Sequence, residues 1–166
     1  MNHFELYNIP ISLSPDQYLV KQRYYELSRK YHPDFHSLAT DEEQADTLEM
    51  ASQVNTAFKI FRSAEETIKY VLQLKGLLEE EEKYQLSPDF LMEMLELNDA
   101  AMDVSSQEDA DALTARIHTL EKEIYEPVEK IITGYQEGTT SEKELLQVKE
   151  YYYRKKYLDR ILAGLK

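Results

Sequence analysis

The tripeptide His32-Pro33-Asp34 sets a firm end to the first long amphipathic segment of this chain. Proline fixes its own φ and disfavours the α region for the residue before it, so a helix over residues 16–31 has to stop near Tyr31. The stop leaves an imidazole and a carboxylate on a stiff loop. Upstream, Ser14-Pro15-Asp16 predicts the start of the same helix, with the proline at or near its first position.

The helix before this loop has one apolar stripe and a basic remainder. At about 100° per residue, four side chains align on one side of it, namely Val20, Tyr24, Leu27 and Tyr31. The basic side chains off this stripe are Lys21, Arg23, Arg29 and Lys30. Because the whole chain has a net charge of −13, a basic helix predicts a docking face for an acidic partner surface.

Composition narrows the classes of function. A chain this acidic is repelled by a phosphate backbone, so we expect no nucleic-acid binding. It has no cysteine, which excludes disulfides and thiolate metal sites and fits a cytoplasmic protein. No apolar run approaches the roughly 18 residues of a membrane span, and the N-terminus lacks a signal pattern, so we predict no membrane insertion.

Helix-forming residues dominate throughout, which predicts an all-α fold. The expected helices lie near 3–9, 16–31, 42–61, 65–75, 88–104, 108–135 and 141–164. Gly76 suits the position just after a helix, and Ser87-Pro88 suits the start of the next one. Between them, Glu79-Glu80-Glu81-Glu82 is a like-charge run that we expect to stay solvated. The predicted domains are therefore 1–75, an acidic linker over 76–87, and 88–166.

The second half has its own periodic core. One face of a long helix is formed by Leu113, Ile117, Leu120, Ile124, Val128, Ile131 and Tyr135, and Pro127 should kink that helix. For the last helix, Thr139 with Glu142 and Ser141 with Glu144 both fit a capping box. Three helices with short connections predict an antiparallel three-helix bundle.

The helix expected over 88–104 carries more apolar surface than a bundle helix needs. Its core stripe consists of Phe90, Met94, Leu97 and Ala101. Leu91 and Leu95 lie beside that stripe, and the next arc holds Met92, Glu96, Asp99 and Asp103. An aliphatic and methionine patch next to carboxylates is typical of a protein-binding site.

These motifs resemble the HscB family, also called Hsc20. Phe4 to Pro10 and the helix ending in His32-Pro33-Asp34 are similar to a J-domain, and 89–97 is similar to that family's scaffold-binding helix. The segment Tyr157-Leu158-Asp159-Arg160 extends the resemblance to nearly the whole chain. The resemblance implies a J-domain and a C-terminal three-helix bundle arranged in an L shape. It also implies a co-chaperone that stimulates the ATPase of a DnaK/HscA-type chaperone and delivers an IscU-type iron–sulfur scaffold protein to it.

The expected site residues follow from the sequence pattern and from the family resemblance. The chaperone-binding residues are predicted to be His32, Pro33, Asp34, Arg23, Arg29 and Lys30. By resemblance, the scaffold-binding residues are Leu91, Met92, Leu95, Glu96, Asp99, Asp103 and Tyr157. No catalytic residue, metal ligand or cofactor is expected. The chain departs from the family at Phe35, where a lysine is usual, and at Ala64 and Thr67, where proline and arginine are usual.

Other interpretations remain open at this level. The chain could be a general J-protein with another client. His32, Asp34 and His36 could instead ligate the metal of a hydrolase, since imidazole and carboxylate suit zinc or iron. The tripeptide could also be an ordinary helix stop. Finally, Leu91 to Leu95 could be plain core covered by another helix.

Overall fold

The computed structural model describes residues 1–165, and all the regular structure in that range is helical, which confirms the predicted all-α class. The helices are α1 (His3–Tyr7), α2 (Gln17–Lys30), α3 (Asp41–Arg62), α4 (Ala64–Leu74), α5 (Pro88–Met102), α6 (Gln107–Tyr125), α7 (Glu129–Thr133) and α8 (Glu142–Gly164). Two short 3-10 turns lie at Pro33–His36 and Glu126–Val128. None of the helices in this range has the length and apolar character that crossing a membrane requires.

The chain forms two compact units. The first comprises residues 1–71 and 135–137, and the second comprises 72–134 with 138 onward. This division falls within α4, and the predicted domain limits of 1–75, 76–87 and 88–166 stay a prediction. As expected, Gly76 follows the end of α4 with φ +70°, and the Leu77 N–H closes the helix by donating to the Leu72 carbonyl at 2.9 Å.

In the first unit, α2 and α3 run antiparallel. The Gln17 side chain at the start of α2 donates to the Phe61 carbonyl at the end of α3, at 2.8 Å. Tyr7 ties α1 to the same helix, because its hydroxyl donates to the Val54 carbonyl at 2.7 Å. The side chains that fill this core are Phe4, Tyr7, Leu13, Val20, Val54, Ala57 and Phe61.

The start of α2 differs slightly from the expected one. Asp16 is the N-cap, and its carboxylate accepts the N–H groups of Tyr18 and Leu19 at 2.9 and 3.2 Å. Pro15 therefore precedes the cap and is buried, instead of standing in the first helical turn. The other end agrees with the prediction, since α2 stops at Lys30 and His32 adopts an extended conformation before the proline.

In the second unit, α5, α6 and α8 surround a core of seven buried side chains, namely Phe90, Met94, Leu97, Leu113, Ile117, Leu158 and Ile161. Ser87 caps α5 and Pro88 occupies its first position, as the sequence predicts. Of the two candidate capping boxes for α8, Ser141 with Glu144 forms: each accepts the other's backbone N–H, at 3.1 and 3.0 Å.

The long helix predicted around Pro127 is broken there into two helices, whereas the sequence predicts only a kink. The chain passes from α6 through the 3-10 turn at Glu126–Val128 into α7. Because α7 is a separate helix after this break, the periodicity of α6 does not continue through it and does not decide which α7 side chain faces inward. The prediction that Ile131 lies on the core face is wrong by one residue: Ile132 is buried, with 4% exposed, and Ile131 is half-buried.

The C-terminal end of the acidic segment before α5 contacts helix α8. Lys149 Nζ lies 2.7 Å from Glu82 Oε2, and this hydrogen bond lowers the pKa of the Glu82 carboxyl. The ring of Tyr84 stacks on Tyr153 with 4.5 Å between centroids, and its hydroxyl donates to Glu150. Burial and this bond raise the pKa of Tyr84 to about 12. The expectation of a fully solvated acidic run is therefore wrong for Glu82.

Candidate functional site

The turn at His32-Pro33-Asp34 presents its polar groups to solvent. The His32 and Asp34 side chains are 54% and 86% exposed. His32 Nδ1 accepts the Asp34 backbone N–H at 3.2 Å, which fixes the imidazole against the turn. In the neutral tautomer that accepts this bond, Nε2 carries the hydrogen and can donate it to a partner. The neighbouring Phe35 is also exposed, and its ring centroid lies 6.1 Å from that of His32.

The backbone of this turn is held from behind. His36 Nε2 lies 2.8 Å from the Lys30 carbonyl and donates to it. The Gln44 side-chain amide donates to the carbonyls of His36, Ser37 and Ala39 at 3.3, 3.2 and 3.2 Å. These contacts join the end of α2 to the start of α3. A loop that is already ordered loses little conformational entropy when a partner binds.

Two of the three polar side chains of the turn are close, with 3.7 Å between His32 Nδ1 and Asp34 Oδ2, but His36 does not join them. His36 directs its ring to a carbonyl of α2, whereas His32 directs Nδ1 to the Asp34 N–H. Within residues 1–165, no three His, Asp or Glu side chains are grouped in a way that could hold a metal ion. The geometry therefore gives no support to His32, Asp34 and His36 as a metal site.

The basic residues of α2 differ in how they present their charge. Arg29 and Lys30 are exposed near the turn. Arg23 is half-buried, and its guanidinium bonds to Glu26 Oε2 at 3.2 Å, so much of its charge is offset. Sequence reasoning missed two tyrosines on the side of α2 that holds Arg29. They are Tyr18 and Tyr25, 79% and 57% exposed, and the available signal was their separation from Arg29 by eleven and four residues, which places all three on one side of the helix.

Helix α5 separates its core side chains from its exposed ones as the helical wheel predicts. Phe90, Met94 and Leu97 are at most 7% exposed. On the neighbouring arcs Leu91, Met92 and Leu95 are 37%, 61% and 55% exposed. The carboxylates of Glu96, Asp99 and Asp103 lie in solvent beside them. The interpretation of Leu91 to Leu95 as plain core is therefore wrong.

Tyr157 differs from the other six residues of the predicted scaffold-binding set. It is half-buried, packs against the core cluster of the second unit, and meets the Phe90 ring edge-on at 6.5 Å. The expectation that it simply faces a partner needs correction, because its ring also supports the core. Sequence reasoning missed Met102, which is 84% exposed at the end of α5.

Comparison with known proteins agrees with this architecture. The family model of the HSCB C-terminal oligomerisation domain matches residues 86–166. A co-chaperone protein HscB homolog from Vibrio atlanticus (strain LGP32) is 31% identical over 117 residues, which cover 69% of this chain and 68% of the relative. Such relatives carry the name of co-chaperones and not of enzymes.

Two solved structures share the fold over 99% of this chain. Human co-chaperone protein HscB superposes with a TM-score of 0.82 at 22% identity, over 80% of that chain. Chaperone HscB from Vibrio cholerae superposes with a TM-score of 0.77 at 20% identity, over 95% of that chain. The first unit accordingly has the architecture of a J-domain, and the second that of the C-terminal helical bundle. With its fold and its curated relatives in agreement, the chain belongs to the HscB family of co-chaperones.

Proposed function

We propose that this co-chaperone stimulates the ATPase of a DnaK/HscA-type chaperone and delivers an IscU-type iron–sulfur scaffold protein to it. The observation that carries the proposal is the α5 face, where Leu91, Met92 and Leu95 stay exposed while Met94 and Leu97 fill the core. A bundle that only had to fold would have no use for that apolar surface. The cytoplasmic location expected from the sequence is part of the same proposal.

The chaperone arm uses the turn after α2. Asp34 offers a carboxylate to a basic group on the chaperone ATPase domain, and His32 Nε2 offers a hydrogen-bond donor beside it. Pro33 and the Gln44 contacts keep the turn in one conformation, so binding costs little ordering. Contact with the turn favours the hydrolysis-competent state of the chaperone, because the turn binds that state more tightly.

Electrostatic steering supports the same arm. Arg29 and Lys30 extend from the last turn of α2 in a chain that is otherwise strongly acidic. An acidic surface on the chaperone is attracted to this end of the helix and repelled by the remainder of the chain. Attraction of this kind raises the association rate and selects the orientation of docking.

The scaffold arm uses the α5 face. Its aliphatic and methionine side chains provide apolar contact, and Glu96, Asp99 and Asp103 provide charge beside it. A chain that binds scaffold and chaperone together raises the effective concentration of one at the other. Delivery then requires no new contact between scaffold and chaperone beyond those that the chaperone makes with its client.

The test is chaperone ATPase turnover measured in four mixtures: chaperone alone, with this chain, with the scaffold, and with both. We expect stimulation by the chain and a further increase with both proteins. Asp34→Asn should remove both increases, and Leu95→Ala should remove only the second. If the chain stimulates but binds no scaffold in a pull-down, the chain is a general J-protein with another client, and the delivery half of the proposal fails.

A further inference from the structure

Three exposed apolar side chains lie in line along α5, and the last of them has no role in the function proposed above. Leu91, Leu95 and Met102 are separated by four and seven residues, which places them within about 40° of one another on the helix. They are 37%, 55% and 84% exposed. Since each residue rises by about 1.5 Å, the line from Leu91 to Met102 is about 16 Å long.

Met102 contributes nothing to the core of the second unit. Ala100 and Ala101 of the last turn of α5, and Val104 just after it, pack against the core cluster instead. A single exposed apolar side chain is ordinary, but Met102 lies in line with two others, beyond the half-buried Asn98, and so places a second apolar contact on the same face of α5. Methionine is flexible and polarizable, and it is enriched where proteins bind one another.

The charges along this line are one-sided. Glu96, Asp99 and Asp103 flank it on the side that also holds Met92, and α5 contains no lysine or arginine. None of the three carboxylates pairs with a cation within the part of the chain that the structure describes. A partner that fits this surface therefore has an aliphatic ridge with lysine or arginine side chains along one edge.

We propose that Met102 is a further binding residue, which adds an apolar contact beyond Asn98 to the α5 face that binds the iron–sulfur scaffold partner. This inference rests on the proposed function, and it extends the proposed scaffold contact to the C-terminal end of α5. The partner's aliphatic ridge runs from Leu91 to Met102, and its cations lie against Asp99 and Asp103. A second copy of this chain fits poorly, because a chain of net charge −13 would bring its own carboxylates to this row.

The experiment is calorimetric titration of a purified IscU-type scaffold protein into the full-length chain and its variants. Met102→Gln keeps the side-chain length and removes its apolar end, so we expect binding about fivefold to tenfold weaker, and Met102→Leu should bind like the wild type. Leu146→Gln is the matched control, since Leu146 is an exposed apolar residue of α8, and it should change the affinity by less than about twofold. Melting temperatures should be equal for all four proteins.

Salt separates the apolar contact from the charged one. The loss caused by Met102→Gln should be the same at low and high salt, whereas the loss caused by Asp99→Asn should shrink as salt rises. Wild-type affinity in Met102→Gln overturns the inference and leaves the proposed function intact. Absence of scaffold binding by the wild type contradicts the proposed function itself. Self-association that Met102→Gln abolishes, with scaffold binding unchanged, also overturns the inference, because the line then faces a second copy.

Discussion

The two candidate binding surfaces of this chain use opposite chemistry. The turn after α2 is polar and fixed by backbone hydrogen bonds, and exposed cations stand next to it. The α5 face is aliphatic and is bordered by carboxylates, and α5 itself contains no lysine or arginine. The first surface suits rapid, oriented contact with a charged partner, and the second suits a contact that depends on apolar burial.

The difference also concerns how each surface relates to its core. The exposed side chains of His32 and Asp34 lie outside the core of the first unit, so they can be changed without loss of that core. On α5, exposed and buried residues alternate along one helix, and Leu95 and Leu97 are only two positions apart with opposite exposure. Substitutions there should separate stability from binding residue by residue.

The largest effect is expected at the turn. Asp34→Asn and His32→Gln should each abolish stimulation of the chaperone ATPase, because they remove the carboxylate and the imidazole that the partner contacts. Melting temperature and scaffold binding should stay at wild-type values, since both side chains are exposed. Asp46→Asn on α3 is the control and should stimulate normally. Normal stimulation by either turn variant would contradict the proposed contact between the turn and the chaperone.

The next largest effect is on the free energy of unfolding, which should distinguish the buried residues of α5 from its exposed ones. Leu97→Ala should lower the free energy of unfolding of the second unit by about 2–5 kcal/mol, because Leu97 is fully buried. Leu95→Ala should lower it by less than about 1 kcal/mol, because Leu95 is exposed. Tyr157→Ala should fall between them, since its ring packs against Phe90. Denaturant unfolding of the three variants checks this order, and equal losses for Leu95 and Leu97 would contradict the exposed face.

Substitutions of exposed α5 residues should weaken scaffold binding, although they cost the least stability. Met92→Ala and Leu95→Ala should each weaken binding by about 2 kcal/mol, or roughly 30-fold, as expected for apolar anchors at the centre of an interface. Stimulation of the chaperone without scaffold should be unchanged in both variants. Calorimetric titration measures the affinities. Wild-type affinity in both variants would mean that the client binds elsewhere.

The smallest effect concerns steering at α2. Lys30→Glu and Arg29→Glu should weaken chaperone docking several-fold at low salt, and the difference from wild type should fade above about 0.1 M salt, where the screening length is about 10 Å. Arg23→Gln should have less effect, because Glu26 already offsets its charge. Association rates measured across a salt series test this order. Docking that does not depend on salt would show that the basic helix does not steer.

The sequence alone determined the features that depend on local geometry. The proline of His32-Pro33-Asp34 ended α2, Ser87-Pro88 began α5, and Gly76 ended α4, because caps and φ restrictions act within a few residues. Helical periodicity likewise separated Met94 and Leu97 from Met92 and Leu95.

Only the tertiary structure decided the features that depend on distant neighbours. Glu82 is held by Lys149, and Tyr157 packs on Phe90, and neither contact follows from spacing along the chain. Ile132 is buried in place of Ile131, because α7 is a separate helix after the break at Pro127 and does not continue the periodicity of α6. The helical wheel places Met102 in line with Leu91 and Leu95, but only the tertiary structure shows that nothing within residues 1–165 covers it.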